Sequence, residues 1–569
     1  MNIFYNIKNL IRESIEPLIG KYNINFKEVE NFTVEIPKNK NYGDLSSNIA
    51  IIFSKVSKTN PLLIAEEIKI QICKKLNLLN SVDIVKPGFL NFKFKNKFWH
   101  TFLHNLKESF STSFDIKKKK ILLEFVSANP TGPLHVGHCR GAIFGDTLAN
   151  LLSFIGNNVS REYYINDYGN QITYFVKSVY YRILELEKKK KFPNDPDLYP
   201  SNYIIDIAKN IIKKNIIKNF DNLNDVFENL KILSIDETMN MIKNDLSQIG
   251  IKHDKFISES NLVKKNIIDK AIDILSKKNL IYDGVLPKPK GNEVDDWEPR
   301  KQLLFKSTNF GDDIDRALKK SDNSWTYFAN DLAYHLDKIE RKYDLLINVL
   351  GADHAGYLKR QIACTHALSN NRQEIISKVC QLVKLYKNGE PLKMSKRAGD
   401  FVTLKNLIDE VGSDVVRFMM VYRTNDSELD FDFDLVKSQS KDNPVYYVQY
   451  AYARISSILR KVKKIQALKI EDLDELDNEI EINIIKKISE WPRCLELSAN
   501  HYEPHRVTFY LYELSSLFHT YWNLGNESNE LKILNSNNDY NSRVFLISKI
   551  EMVLKQGFGI LNIKALDKM

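Results

Sequence analysis

The chain has 569 residues, too many for one hydrophobic core, and this length predicts roughly three to four domains. With 43% hydrophobic and 27% charged residues, its composition falls in the ordinary soluble globular range. It contains no run of about 18 apolar residues, which excludes a membrane-spanning helix. The first residues lack the apolar core of a secretory signal and predict an amphipathic helix instead.

The five cysteines are scattered without a C-x-x-C pair. This spacing argues against a disulfide framework or a thiolate zinc site, and it indicates a reducing cytoplasm. The net charge of +10 favours a polyanionic partner. Lysine runs such as residues 117–120 add little to that argument, because lysine is abundant throughout the chain and such runs are usually solvated.

Residues 1–112 predict a small α+β module. Asn60-Pro61 is a suitable helix start ahead of apolar residues at helical spacing. Pro87-Gly88 is typical of a turn, and the alternating residues after it predict a strand.

A strand, a loop and a helix follow from Ile121 and predict the opening of a βαβ unit. Residues 121–126 form a short apolar run typical of a buried parallel strand. A Gly/Pro-rich loop covers 129–133, and an amphipathic helix is predicted from about 138 to 154. The alternation returns as a strand at 343–350, a helix at 356–368 and a strand at 381–386.

These patterns predict a nucleotide-binding parallel sheet over residues 118–425. A polar, lysine-rich and mostly helical insertion interrupts it at about 170–300. From about Asp430 the pattern becomes helical, so residues 430–569 are predicted to form a separate all-helical domain.

The segment His135-Val-Gly-His138 lies where the predicted loop meets the predicted helix. A helix N-terminus offers free backbone N–H groups that suit phosphate. Gly137 allows a nucleotide to approach the backbone closely, and the imidazoles can donate hydrogen bonds to phosphate oxygens. A metal site that includes Cys139 is a weaker interpretation, because a nearby Glu and a spaced fourth ligand are missing.

A second segment joins a predicted strand to a basic loop. Asn388-Gly389 marks a tight turn, and Lys393-Met-Ser-Lys-Arg397 follows it. Three cations within five residues suit a loop that closes over a triphosphate, where Lys393 and Lys396 offset negative charge on the departing pyrophosphate.

In this order, the two segments resemble the "HIGH" and "KMSKS" signatures of class I aminoacyl-tRNA synthetases. The resemblance to bacterial arginyl-tRNA synthetases is closer and covers nearly the whole chain. Tyr168 and Cys139 replace smaller residues of the family pattern, and Arg397 is a familiar variant. The matching stretches are EFVSANPTGPLHVGH (124–138), YYINDYGNQ (163–171), SWTYFAND (324–331), GADH (351–354), YVQYAYAR (447–454) and EPHR (503–506).

The resemblance implies a multidomain α/β protein. A Rossmann-like catalytic domain would lie between an N-terminal α+β tRNA-binding module and a C-terminal all-α anticodon-binding bundle. It implies an arginine–tRNA ligase that forms arginyl-adenylate from ATP and L-arginine. The arginyl group then passes to the 2′-hydroxyl of the terminal adenosine of tRNA(Arg). Mg²⁺ would accompany ATP, and the family implies a monomer for which tRNA is required in the first step.

By this resemblance, the catalytic residues are His135, His138, Lys393 and Lys396. ATP would be bound by His135, Gly137, His138, Lys393, Met394, Ser395 and Lys396. Arginine would be bound by Glu124, Ser127, Ala128, Asn129, His138, Tyr327, Asp331 and Asp353.

The arginine assignment has a chemical basis. A planar guanidinium requires carboxylates, which Asp331 and Glu124 would supply. Tyr327 and Asp331 are four residues apart, so one face of a helix can present both. Ser127 and Asn129 would hold the α-amino group, with Asp353 near the backbone end of the ligand.

Two surfaces are candidates for tRNA. Phe89 and Asn91 would form one in the N-terminal module. Tyr447, Tyr450 and Arg454 would form the other in the C-terminal domain, where core packing is nearly as good an explanation of the aromatic residues.

Three alternatives stay open at this point. They are another HxGH-type nucleotidylyl transferase, a catalytically inactive tRNA-binding paralogue, and a class I synthetase for a different amino acid.

Overall fold

The computed structural model describes residues 2–109, 117–287, 300–392, 402–462, 468–534 and 541–569. They form an N-terminal α+β module, a central region built on a parallel sheet, and a C-terminal group of helices. This confirms the predicted multidomain α/β class. Within these ranges, no helix is both long and apolar enough to cross a membrane.

The N-terminal module runs through α1 (Ile3–Tyr22), α2 (Phe26–Val29), β1 (Val34–Glu35), β2 (Leu45–Ser47), α3 (Ile49–Ser57), α4 (Pro61–Lys75), β3 (Leu79–Val85), β4 (Phe89–Phe94) and α5 (Asn96–His104). Its strands form an antiparallel sheet in the order β1-β2-β4-β3. Helix α1 buries Ile7, Ile11 and Ile15, which confirms the predicted amphipathic helix. Asn60 caps α4 by accepting a hydrogen bond from the Leu62 N–H at 2.9 Å, as predicted.

The central region begins with β5 (Lys120–Glu124), α6 (Val136–Phe154), β6 (Asn158–Ile165), α7 (Asn170–Lys188), α8 (Asn202–Lys214), α9 (Leu223–Gln248), β7 (Lys255–Ser258), α10 (Glu259–Lys264), α11 (Ile267–Lys277), β8 (Ile281–Gly284), β9 (Gln302–Phe305) and β10 (Arg316–Ala317). It continues with α12 (Tyr327–Glu340), β11 (Leu345–Gly351), α13 (Leu358–Ser369), β12 (Glu374–Cys380), β13 (Val383–Lys387), β14 (Glu390–Pro391), α14 (Leu404–Val411), α15 (Ser413–Val421), β15 (Leu429–Asp432) and α16 (Phe433–Lys437). The main sheet is parallel throughout, in the order β12-β11-β5-β6-β7.

The sheet differs from the predicted one at its edges. One edge strand is β12, whose half-buried residues lack the continuous apolar run of a central strand. The strand predicted at 381–386 forms as β13, but it belongs to a separate small sheet in the order β14-β13-β15. Strand β15 also occupies the start of the region predicted to be all helical, because it pairs with β13.

The predicted insertion consists of two parts separated by a strand of the main sheet. Helices α7–α9 enclose a hydrophobic cluster of their own, with Phe175, Val179 and Ile207 at its centre. Strand β7 then returns to the main sheet beside β6. A second part follows, with α10, α11 and the antiparallel sheet β10-β9-β8. The domain boundaries read from the sequence remain a prediction.

The C-terminal region is helical, with α17 (Pro444–Lys461), α18 (Glu479–Ser489), α19 (Trp491–His501), α20 (His505–Glu527) and α21 (Asn541–Leu561). Its hydrophobic core is continuous with those of the main sheet and the N-terminal module. Ion pairs also join it to the N-terminal module, including Lys486 to Asp44 at 2.7 Å.

Arg417 joins three parts of the chain at a buried point. Its Nη2 donates to Asp146 Oδ2 on α6 at 2.6 Å, and its Nε donates to the Leu561 carbonyl at the end of α21 at 2.6 Å. Its Nη1 donates to the Ile249 carbonyl, just after α9, at 2.7 Å. A buried guanidinium with three acceptors holds these segments in one arrangement, because moving any of them would break a buried hydrogen bond.

We expect Arg417→Met to lower the free energy of unfolding by about 3–5 kcal/mol, because it leaves the Asp146 carboxylate buried without its strongest partner. Denaturant unfolding followed by circular dichroism measures this change. Lys384→Met serves as a control, since Lys384 pairs with Glu428 at the surface and its loss should leave the transition nearly unchanged. Equal effects of the two substitutions would contradict the role of Arg417.

Candidate functional site

The C-terminal ends of the parallel strands bring carboxyl groups to one edge of the main sheet. Glu124 ends β5, Asp167 lies just beyond β6, and Glu259 directly follows β7. Helix α12 adds Asp331. Together with burial, the largest cause, these four carboxyl groups raise the pKa of the Tyr164 hydroxyl well above its usual value. Ligands of open parallel sheets bind at this edge, which makes it the candidate site.

Glu124 is already paired inside the protein. Its Oε2 accepts a hydrogen bond from the fully buried Lys338 ammonium at 2.5 Å, and its Oε1 accepts one from Ser127 Oγ at 2.9 Å. Lys338 also donates to Asn348 Oδ1 at 2.9 Å. The negative charge of Glu124 is therefore compensated internally, whereas the sequence predicted that it would face a ligand's guanidinium.

A strained turn places Ser127 in this arrangement. Val126 and Ser127 both have left-handed backbone conformations, with φ of 69° and 42°. A β-branched residue rarely adopts such a φ, and strain of this kind is concentrated at functional sites. The turn lets Ser127 Oγ donate to Glu124 while accepting the Tyr164 N–H at 3.1 Å.

Asp331 is the available anion at this edge. Its half-buried carboxylate accepts no hydrogen bond from the part of the chain that the structure describes. Burial, followed by the charge of Glu124, raises its pKa to about 7, although Lys338 and Arg360 act in the opposite direction. One turn earlier on α12, Tyr327 is 49% exposed, so the predicted pair does lie on one helix face.

A buried polar network connects α12 to β11 and α13. His335 Nδ1 lies 2.8 Å from the Asp331 carbonyl, to which only an N–H can bond. The His335 Nε2 therefore accepts the Asn348 Nδ2–H at 3.3 Å, and Asn348 also donates to Gln361 Oε1 at 3.0 Å. Burial lowers the pKa of His335 to about 3, so the ring is neutral.

The sequence analysis missed Glu259, another carboxyl group at this edge. It is buried beside Asn330, whose Nδ2 donates to its Oε1. Glu259 Oε2 and Asn330 Oδ1 accept no hydrogen bond within the described ranges. Burial raises the Glu259 pKa to about 8; the Asn330 hydrogen bond opposes this rise, and the charge of Asp331 adds to it. A Ser-Glu-Ser sequence directly after a strand was the available signal.

His135 caps α6 and engages one of the backbone N–H groups at the helix start. The Gly137 N–H donates to His135 Nδ1 at 3.1 Å, and the His135 N–H donates to His138 Nδ1 at 3.4 Å. Because each Nδ1 accepts, each neutral ring carries its proton on Nε2. A Cβ at position 137 would lie 2.8 Å from the His135 ring, so only glycine permits this arrangement.

Cys139 does not extend this group toward a metal site. It lies on α6 and is fully buried. Burial raises the pKa of its thiol to about 12, which disfavours the thiolate that would bind a metal.

Lys393, Met394, Ser395 and Lys396 lie outside the described residues. The described residues on either side of them are well anchored. The Leu392 N–H donates to the Leu385 carbonyl at 2.8 Å, after the Asn388-Gly389 turn, in which both residues have positive φ. On the other side, the Val136 N–H donates to Val402 at 3.1 Å, and the Leu404 N–H donates to Leu134 at 2.9 Å. After the second signature segment, the described chain therefore resumes at Val402, next to the start of α6.

The remaining predicted arginine ligands lie around this edge at different depths. The Ala128 carbonyl accepts the Tyr163 hydroxyl at 2.7 Å, and Asn129 Nδ2 donates to Gln171 Oε1 at 2.7 Å. The Asp353 side chain, just past β11, is 79% exposed, and its ion-pair partner among the described residues is His354. Among the described residues, no contact joins the Asp353 side chain to Asp331.

The two predicted tRNA residues of the N-terminal module differ in accessibility. Phe89 is 38% exposed at the start of β4, whereas Asn91 is 3% exposed. Asn91 lies between Ser46 of β2 and Asp83 of β3 in the middle of the sheet, so it does not reach the surface.

In the C-terminal domain, aromatic rings and a guanidinium line one face of α17. Tyr450 stacks on Tyr446 at 5.5 Å, and the Arg454 guanidinium lies 4.3 Å from the Tyr450 ring and 5.0 Å from the Trp522 ring. Tyr447 instead packs on His519 at 4.4 Å. The sequence analysis had not singled out Tyr446 or Trp522, although Tyr446, Tyr450 and Arg454 are spaced four residues apart.

Comparisons with known proteins assign the whole chain consistently. Three family models match: the arginyl tRNA synthetase N terminal domain over residues 5–94, the class I (R) tRNA synthetase catalytic domain over 103–428, and the DALR anticodon binding domain over 448–569. The arginine–tRNA ligase of Pelagibacter ubique is 48% identical, covering 99% of this chain and 100% of that protein. The Roseobacter denitrificans arginine–tRNA ligase is 44% identical, with 100% of both chains covered.

The fold is similar to that of a solved structure. The Thermus thermophilus arginyl-tRNA synthetase gives a TM-score of 0.73, covering 99% of this chain and 100% of that one. At 17% sequence identity, this likeness concerns the fold alone.

We expect Glu259→Gln to stabilise the protein increasingly as pH rises. The pKa of Glu259 is raised in the folded state from 4.5 to about 8, so its protonation favours folding at low pH and this contribution is lost as pH rises toward 8. The difference in melting temperature between the variant and the wild type should therefore grow between about pH 4.5 and 8. Melting curves across this range measure it, and a constant difference would show that Glu259 is ionised throughout.

Proposed function

The chain belongs to the arginyl-tRNA synthetase family, and from this premise we propose which of its residues activate arginine and bind tRNA. The reaction is that of an arginine–tRNA ligase. A carboxylate oxygen of arginine attacks the α-phosphorus of ATP, pyrophosphate leaves, and arginyl-adenylate remains. The 2′-hydroxyl of the terminal adenosine of tRNA(Arg) then attacks the arginyl carbonyl. The bond between the carbonyl carbon and the phosphate oxygen breaks, and AMP leaves.

The observation that carries the assignment of the pocket is the Asp331 carboxylate at the sheet edge, which accepts no hydrogen bond from the residues that the structure describes. A guanidinium brings several N–H donors in a plane and forms its best hydrogen bonds with a carboxylate. Tyr327 lies beside Asp331 on α12 and covers the stem of the ligand. Glu124 contributes negative potential but keeps Lys338 as its hydrogen-bonded partner.

The other end of arginine is held by the loop after β5. Ser127, Ala128 and Asn129 offer a hydroxyl, a carbonyl and an amide near the sheet edge, where an α-amino group requires acceptors. Asp353 is a weaker candidate, because its carboxylate points to solvent.

ATP is proposed to lie across the start of α6. His135 and His138 carry their protons on Nε2, which suits donation to phosphate oxygens, and Gly137 leaves the backbone accessible. Lys393, Met394, Ser395 and Lys396 complete the phosphate site by the family resemblance, and the anchoring of residues 402–404 beside Leu134 supports it. Positioning and charge stabilisation drive the first step, which requires no protein acid or base.

Mg²⁺ is proposed to enter with ATP as part of the substrate. It binds phosphate oxygens and water and commonly needs only one or two protein carboxylates. Its contribution is to offset charge on the departing pyrophosphate.

The tRNA is proposed to contact both ends of the chain. Phe89 offers an exposed ring in the N-terminal module. Tyr446, Tyr450, Arg454 and Trp522 form a stacked aromatic and cationic face, which suits unstacked bases. Tyr447 supports this face by packing on His519. We further propose that the protein acts as a monomer in the cytoplasm, where free cysteines persist.

The decisive experiment is ATP–pyrophosphate exchange with each of the twenty amino acids, with and without total bacterial tRNA. We expect exchange with arginine alone, and only when tRNA is present. Exchange with a different amino acid would overturn the pocket, and exchange without tRNA would remove the tRNA requirement. Absence of exchange together with retained tRNA binding would favour an inactive paralogue.

We expect Asp331→Asn to raise the KM for arginine by roughly 10- to 100-fold, because the substitution removes a charge-assisted hydrogen bond. Because the pKa of Asp331 is about 7, the wild-type KM for arginine should fall as pH rises from about 6 to 8. The variant should lose this dependence. Steady-state exchange at several pH values measures both effects. Asp273→Asn, on the exposed face of α11, is the control; equal effects of the two substitutions would refute the assignment.

A further inference from the structure

The loop of residues 129–134, between β5 and α6, is held by each helix of the α7–α9 insertion. From α7, Gln171 accepts the Asn129 amide at 2.7 Å. From α8, the Tyr203 hydroxyl donates to the Thr131 carbonyl at 2.9 Å. From α9, the Asp245 carboxylate accepts the Leu134 N–H at 3.1 Å.

Tyr203 also packs sterically against the loop, at Gly132. A Cβ at Gly132 would lie 3.0 Å from both the ring carbon and the hydroxyl oxygen of Tyr203. The ring therefore lies directly against the backbone of the loop, and a larger residue at position 132 would have to displace it by a few tenths of an ångström. Burial accompanies this contact, and it raises the pKa of the Tyr203 hydroxyl above its usual value, so the hydroxyl remains a donor.

Helices α7 and α8 are able to act on the loop as a unit. Together with the first part of α9 they share a hydrophobic cluster between residues 172 and 233 that is separate from the core of the main sheet. Asp245 lies on the last part of α9, where Ile242 and Leu246 pack in the core of the main sheet instead. Because a packed cluster resists deformation, a displacement of α7 and α8 would move Asn129 and Thr131 together and leave Leu134 in place.

The two ends of the loop are anchored differently. Leu134 and Val136, next to the ATP side, are also hydrogen-bonded to residues 402–404. Asn129, next to the proposed α-amino site, has its described side-chain partner on the insertion, at Gln171. The insertion should therefore influence the arginine end of the loop more than the ATP end.

We propose that the α7–α9 insertion sets the geometry of the arginine pocket through the loop 129–134, with Tyr203 as the positioning residue. The proposal rests on the role given above to the loop residues 127–129. Tyr203 touches neither substrate, and it acts by holding the backbone on which Asn129 is presented.

The test is steady-state pyrophosphate exchange with tRNA present, comparing Tyr203→Phe with Tyr180→Phe. Both variants lose one hydroxyl that donates to a backbone carbonyl, but Tyr180 donates to Phe220 within the insertion. For Tyr203→Phe, we expect the KM for arginine to rise about fivefold, because one neutral hydrogen bond is lost. Its kcat and its KM for ATP should change by less than twofold. Tyr180→Phe should match the wild type in all three constants.

A second pair of variants tests the steric contact. Gly132→Ala should raise the KM for arginine more than Tyr203→Phe does, because the new methyl group meets the ring. Combining it with Tyr203→Leu, which removes the ring, should recover part of the loss. If the two substitutions add independently, the contact does not position the loop and the proposal is overturned.

Asn129→Ala separates failure of this proposal from failure of the pocket. A raised KM for arginine in Asn129→Ala, with no change in Tyr203→Phe, would overturn the positioning role and leave the pocket assignment intact. If neither variant changes the KM, the loop is not part of the pocket and both assignments fail. Equal losses in Tyr203→Phe and Tyr180→Phe would indicate general destabilisation, which melting curves would register.

Discussion

The fully buried Lys338 ammonium, next to the sheet edge, constrains the rest of the site. A buried ammonium is costly unless acceptors surround it, so Glu124 and Asn348 must stay where they are. Glu124 ends β5 and Asn348 lies on β11, whereas Lys338 belongs to α12. One charge pair therefore fixes the helix that carries Asp331 against the two central strands of the sheet.

This arrangement also determines the electrostatics of the proposed pocket. Because Lys338 neutralises Glu124, Asp331 and Glu259 remain as carboxyl groups for a ligand, and burial raises the pKa of both. We expect a bound cation to lower these pKa values and to favour the ionised carboxylates. Such a pocket favours charged ligands over neutral analogues of the same shape.

Local patterns were sufficient for the elements whose residues act near one another in the chain. The His135 cap, the Pro61 helix start and the spacing of Tyr327 and Asp331 depend on neighbours within four residues. The partner of Glu124 lies 214 positions away, and no periodicity reveals such a pair. Asn91 shows a second limit: the sequence grouped it with Phe89 as a tRNA candidate, but its burial in the middle of the sheet is visible only in three dimensions.

Edge strand β12 and strand β15 were missed for a related reason. A strand at the margin of a sheet or in a small sheet is only half-buried, so its sequence need not be apolar. The same effect explains why the insertion was predicted as one piece, since the short strand β7 between its two parts carries a weak sequence signal. Long amphipathic helices such as α1, α4 and α17, in contrast, repeat their apolar pattern over several turns and are therefore easier to predict.

The Arg417 junction has a consequence for biosynthesis. One of its three acceptors, the Leu561 carbonyl, lies 144 positions further along the chain. A nascent polypeptide that has already delivered both signature segments still lacks this acceptor, so the guanidinium beside α6 cannot be fully satisfied. The catalytic fold therefore reaches its final arrangement only after α21 has emerged from the ribosome, and a product that stops before α21 is left incomplete at the centre of the enzyme.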